Sequence, residues 1–182
     1  MKRLVFLVLL AGCSFLKRPP NQFFSLDTIP PEGAVAQAAG APIGIDALEL
    51  APGLDRRGIV VQGADHKLEV RGTHQWSAPL EEMVTHTLAF DLANRLPEGM
   101  VVLPGQPKPA GAMRSLAVEF EELAAGPETK FVLDARWTIG AATTHERIEV
   151  PMESLESAQI AAAFSRALAM LADRIAASLA RS

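Results

Sequence analysis

One thiol, four imidazoles, a run of carboxylates and a pair of adjacent arginines are the parts of this 182-residue sequence from which chemistry could be built. The thiol is Cys13, directly behind the apolar run Leu4–Leu10 of MKRLVFLVLLAGCS. A thiol is a good nucleophile once deprotonated, and with no second cysteine in the chain its use is modification rather than an intramolecular disulfide. The histidines, His66, His74, His86 and His145, fall in different predicted elements. No two of them show the short spacing of a zinc site, so no metal is expected and each reads as a surface residue. Glu119, Glu121 and Glu122 suggest acid–base work until strand alternation is applied, which sets Glu119 and Glu121 opposite Val118 and Phe120 as a solvated face. There is no Gly-x-Ser-x-Gly elbow and no glycine-rich loop opening a helix. Neither an enzyme nor a bound cofactor is expected.

Two other stretches carry recognition chemistry. In ELAPGLDRRGIVVQ, residues 49–62, Leu54, Asp55, Arg56 and Arg57 form a turn at the mouth of a strand. Its guanidinium groups could clamp a carboxylate or phosphate, or pair with a partner subunit. The alternative is that Asp55 caps the turn and both arginines are solvated. In HQWSAPL, residues 74–80, Trp76 stands just before a helix start, a place for either a core plug or an interface anchor.

At the N-terminus, Lys2 and Arg3 precede the apolar run, and the run closes on small residues, which is the layout of a secretory signal peptide. It is too short for a lasting membrane span, which takes roughly 20 apolar residues. The quartet Leu10-Ala11-Gly12-Cys13 resembles the bacterial lipobox, in which the cysteine sulfur is lipidated and the peptide is cut before it. Residues 1–12 are therefore expected to be a signal peptide, 13–21 a lipidated cysteine with a short tether, and 22–182 a single periplasmic domain. The tether, SFLKRPPN, reaches about 25–30 Å at most, so the domain stays close to its membrane. Losing Lys2 and Arg3 takes the formal charge from −4 to −6, and no large basic cluster remains, so nucleic acid is not an expected partner.

The elements that must position these residues follow from periodicity. Strands are expected at 21–27, at 42–50 with a phase shift after Ala47, and at 58–62 and 67–71 around the four-residue loop Gly63–His66. A Pro/Gly/Ala-rich loop fills 30–41. Leu80, Met83, Val84, Leu88, Leu92 and Leu96 recur at helical spacing behind Ser77-Ala78-Pro79, with Pro79 at the first helical position and Pro97 as the stop. After a short edge strand at 101–103 come strands at 115–123, 131–139 and 143–150, joined closely enough for an antiparallel meander. A last helix over 157–180 carries Ile160, Phe164, Ala167, Leu168, Leu171, Ile175 and Leu179 on one stripe. The fold expected is α+β, a mixed, largely antiparallel sheet with two long amphipathic helices packed on it.

The order of these motifs resembles the ABC-type transport auxiliary lipoprotein family. Phe24-Ser25-Leu26 matches its aromatic-x-Leu first strand, Leu54-Asp55-Arg56 with Ile59-Val60 its Leu-Asp-Arg-Pro-x-Ile-Val stretch, and Trp76 with Pro79-Leu80 its Trp-Ala-Glu-Pro-Leu motif. Arg57 replaces the usual proline, Gln62 stands where an arginine is common, and Ser77-Ala78 replaces Ala-Glu. The resemblance implies a non-enzymatic, lipid-anchored protein on the periplasmic face of the outer membrane. It further implies partners among periplasmic MCE-domain proteins and ABC transporter subunits, and self-assembly into a homo-oligomeric ring. A periplasmic carrier that binds lipid itself is the alternative.

Overall fold

A computed structural model describes residues 19–181. The expected signal peptide, with Leu10, Ala11 and Gly12, and the expected lipidation site Cys13 lie outside the described residues. The elements run β1 (Gln22–Phe24), β2 (Ile43–Leu50), β3 (Gly58–Gln62), β4 (Leu68–Trp76), α1 (Leu80–Ala93), β5 (Val101–Val102), β6 (Arg114–Gly126), β7 (Lys130–Ile139), β8 (Ala142–Pro151) and α2 (Ser157–Arg181). The α+β architecture is as expected: one mixed sheet with both helices on one face. Among the described residues no helix is long and apolar enough to cross a membrane.

The longest strand, β6, organises the sheet because it is shared by three neighbours. One edge pairs antiparallel with β7 from Leu116↔Ile139 to Gly126↔Lys130, and β8 continues the meander from Lys130↔Pro151 to Ile139↔Ala142. The other edge is divided. Its first half pairs parallel with β2, from Ile43↔Arg114 to Leu50↔Phe120, and its far end pairs with β3 at Val61↔Ala125. The sheet forks there, β5 lying beyond β2 while β4 and then β1 lie beyond β3. The phase shift in β2 falls between Ile45 and Ala47, and a second irregularity falls in β6 between Phe120 and Glu122. The extra residue there, Glu121, turns the strand's inward set from Phe120 to Ala125 while keeping the glutamates on the outer side.

Between sheet and helices the space is filled by side chains. Leu116, Phe120, Leu133 and Ala135 of the sheet are fully buried against Leu88 and Leu92 of α1 and Leu168, Leu171 and Ile175 of α2. Phe164 stacks on Phe131 at 4.8 Å and meets Trp76 edge-on at 6.0 Å. Burying such side chains contributes about 1.5–3 kcal/mol each, which is the main source of cohesion in a chain without disulfides.

Two local expectations shift. Pro79 has ψ 133°, an extended backbone, so it is the N-cap rather than the first helical residue, and α1 starts at Leu80 without a side-chain cap. The strand expected to end at Arg71 continues to Trp76. Its pairing with β3 jumps from Val60↔Val70 to Gly58↔Gln75, so the chain changes phase at 71–74 and local alternation ends before the strand does.

Candidate functional site

The two recognition stretches, separate in sequence, meet in the fold. Trp76 donates its backbone N–H to the carbonyl of Arg57 at 2.8 Å, which fixes the Leu54–Arg57 turn beside the start of α1. The turn is self-bonded: Leu54 N–H to Ala51 O at 3.0 Å, Arg56 N–H to Leu54 O at 2.8 Å, and Arg56 Nε to Gly53 O at 2.8 Å. Gly53 sits at φ +91°, a conformation that disfavours a side chain. Asp55, Arg56, Arg57, Ser77, Ala78, Pro79 and Leu80 line a surface cleft of about 410 Å³. Leu54 is half-buried, and Asp55, Arg56 and Arg57 are exposed. Trp76 differs: only 5% exposed, its ring packs on Phe164 and serves the core, so at this place the surface belongs to Ser77–Pro79. Chemically the cleft presents two guanidinium groups next to the uncapped N–H groups of a helix start, an arrangement suited to a carboxylate.

The histidines are not uniformly solvated. His74 Nδ1 lies 2.8 Å from Ser157 Oγ, and Arg71 Nη1 donates to the same oxygen at 2.7 Å. A serine and a histidine in hydrogen-bond reach are the first requirement of a hydrolase, but Ser157 is 2% exposed and its oxygen already accepts from a guanidinium. Substrate has no path to it, and the trio instead ties β4 to the first turn of α2. His86 stacks on Phe90 at 4.5 Å.

On the outer face of the meander, ligand atoms of Glu121, Asp134 and His145 lie within 4.8 Å of one another, a grouping that sequence spacing did not suggest. Its charges are already met. Arg136 donates to Glu121 at 2.6 Å, and Arg147 donates to Glu122 at 2.6 Å and Asp134 at 2.9 Å, while His145 bonds Asp134. Two guanidinium groups stand where a cation would have to bind, so the cluster reads as a cross-strand charge ladder.

Sequence reading missed a buried polar clasp. Asp91 and Arg95 of the helix α1 end are 0% and 4% exposed. Asp91 Oδ1 accepts the N–H of Ile29 at 2.8 Å, and Arg95 donates to Ile29 O at 2.9 Å and to Asp173 of α2 at 2.6 Å. Together with Asp27 N–H to Ser165 Oγ at 3.0 Å and Ala36 N–H to Arg95 O at 2.9 Å, these bonds strap residues 25–38 across both helices. Burial pushes the Asp91 carboxyl up to about 6, against the opposing pull of the Ile29 N–H and Arg95. The signal was present: Asp91 lies three residues after Leu88, on the apolar stripe, with an arginine at i+4.

Other clefts lie on the outer face of the sheet around Glu49, Glu119 and Arg136, and at the β2–β5 edge, where Gly44, Asp46 and Val102 meet Thr85 of α1. A further cleft, of about 700 Å³, sits where β6 begins and β7 ends, beside Met113, Arg114 and Ile139.

The fold has relatives among solved structures. An uncharacterised protein matches with a TM-score of 0.67 at 16% identity, covering 89% of this chain and 97% of that one. A Xanthomonas campestris protein from a domain family of unknown function matches with a TM-score of 0.61 at 14% identity, covering 85% and 90%. At such identities the likeness shows the fold alone. No curated protein matches the sequence. The family model for the ABC-type transport auxiliary lipoprotein component matches residues 24–176, from the end of β1 into the last turns of α2 and through both recognition stretches, and the chain belongs to that family.

Proposed function

We propose that this auxiliary lipoprotein is a non-enzymatic docking subunit, held by a lipid on Cys13 at the periplasmic face of the outer membrane. There it binds a periplasm-spanning MCE-domain protein of an intermembrane lipid-transport system and, through it, the ABC transporter. The observation that carries the docking reading is the cleft joining Arg56 and Arg57 to the start of α1, exposed cationic chemistry on a rigidly bonded turn. The partner segment it suits is acidic. The filled interior supports docking over lipid carriage, because an acyl chain would need the space that Leu116, Phe120, Leu133 and Leu168 occupy. Assembly of several copies into a ring belongs to the same proposal.

Mild-detergent isolation of the lipidated protein from its native envelope, with mass spectrometry of the proteins that accompany it, tests this. Recovery of an MCE-domain protein or transporter subunits with the wild type, and their loss with Arg56→Glu at an unchanged melting temperature, is the expected result. Recovery of the lipoprotein alone would overturn it.

A further inference from the structure

Of the large apolar side chains exposed among the described residues, Phe23, Val35, Leu68, Val70 and Met170, three belong to the edge strands β1 and β4. Phe23 is 58% exposed, Leu68 60% and Val70 46%. Their faces agree. Val70 pairs with Val60, whose neighbours Ile59 and Val61 point inward, so Val60 and Val70 point outward. A Cβ built on Gly58 would come within 2.7 Å of Val70 Cγ1, which places the Val70 side chain over Gly58. Gly58 pairs with Gln75, and Gln75 with Phe23, so Phe23 lies two strand spacings away, about 10 Å, on that face. Leu68 pairs with Gln62 on the same face and shares a shallow cleft with Val60 and Leu123. The polar surroundings of this patch are the uncharged Gln62 and Gln75, the Glu122 carboxylate on the Leu68 cleft, and the exposed Asp65–Lys67 ion pair at the hairpin tip.

The direction of the chain says what covers it. β1 runs parallel to β4 with Gln22 opposite His74, so the segment that precedes Gln22 heads toward the Leu68 end of the hairpin. Eight residues lie between Cys13 and Gln22, a reach of about 30 Å, comparable to the length of β4 itself. From Leu68 to Thr73, β4 has no β1 partner, so this part of the hairpin is left uncovered on the side from which the chain enters β1. The docking cleft lies at the other end of β4, beyond Trp76, roughly 25 Å away.

We infer that Leu68 and Val70, at the far end of β4 from Phe23, form a membrane-resting surface that inserts into the headgroup region of the lipid layer holding the anchor, standing the domain on its β3–β4 hairpin with the arginine cleft facing away. The inference rests on the lipid-anchor reading. A tethered domain needs little further affinity to choose an orientation, because the anchor already holds the patch at high effective concentration. Exposed apolar side chains set among paired charges can rest in the headgroup interface without a basic face when the anchor supplies most of the affinity.

Full-length lipidated protein in phosphatidylethanolamine–phosphatidylglycerol vesicles tests it, with Leu68→Trp and, as a control on α2, Met170→Trp. Lipids brominated along the acyl chains should cut the added Leu68→Trp emission about twofold and leave Met170→Trp unchanged. Val70→Trp repeats the measurement should Leu68→Trp lower the melting temperature. No quenching at residue 68 while the protein still floats with vesicles would overturn the surface and leave the anchor standing. Equal quenching at both positions would also overturn it, as would a Leu68→Trp emission that shifts with protein concentration rather than lipid, the mark of a second copy on the patch. Failure of the wild type to float would remove the anchor and the inference with it.

Discussion

Arginine meets carboxylate in two regions of this molecule, and the two differ in nearly everything but composition. On the outer face, Arg136 and Arg147 interleave with Glu121, Glu122 and Asp134 across three strands, half-exposed and sharing partners. Under the strap, Arg95 is buried with Asp91 and ties a loop to two helices. Water screens the first set and competes for its groups, so each pair adds little. In the second set Asp91 and Arg95 have almost no water to fall back on, although Asp173 is half-exposed, so those two depend on each other and on Ile29. Burial, not the number of ion pairs, decides which of them the fold needs.

That contrast can be broken from either side. Arg95→Ala should cost about 3–5 kcal/mol by stranding the Asp91 charge, a fall in melting temperature of roughly 10 °C, with Ile29 losing hydrogen-exchange protection as the strap lifts. The next effect is on pH. The folded Asp91 carboxyl titrates near 6, above its ordinary range, so the native state binds the extra proton between about pH 4 and 6. Its contribution is therefore most favourable below about pH 4 and is lost as pH rises through 6. Asp91→Asn, which keeps an acceptor for Ile29, should flatten that slope, on the order of 2 kcal/mol across the window in denaturant titrations. Arg147→Ala should cost no more than about 1 kcal/mol, and less in high salt. A loss matching that of Arg95→Ala would show that burial is not the discriminator. Arg56→Glu should move stability by less than about 0.5 kcal/mol while weakening partner recovery.

Much of the scaffold could be read from local pattern. Ile160, Phe164, Leu168, Leu171, Ile175 and Leu179 recur at helical spacing and all are buried, and β2 does shift phase, though between Ile45 and Ala47 rather than after Ala47. Periodicity is a local property, however, and says which face a residue takes without saying which strand lies beside it. Hence the division of β6 between β2 and β3, and the parallel seat of β1 on β4, had no signal. The continuation of β4 to Trp76 was hidden because its phase change imitates an ending. The turn carrying Arg56 and Arg57 was legible as chemistry, but its meeting with Ser77–Leu80 depends on the Trp76–Arg57 hydrogen bond, a contact between residues far apart in sequence. The clasp has the opposite character: Asp91 and Arg95 are neighbours at the end of α1, but their partners Ile29 and Asp173 lie far away in sequence.

The forked strand also sets the order in which this chain can be completed as it is made. Ile43 gains only the short β5, at Val101, before Arg114 has emerged on its other side, and Val61 has no parallel partner until Ala125, so most of β2 and one edge of the β3–β4 hairpin wait open while α1 is synthesised. Distant pairing of this kind is slow, and waiting strand edges invite wrong partners. On the proposed lipid anchor at Cys13, the waiting half is the half nearer the anchor in sequence, so biogenesis would favour keeping the chain extended until β6 arrives. Refolding from denaturant should accordingly be limited by closure of β6 rather than by formation of either helix.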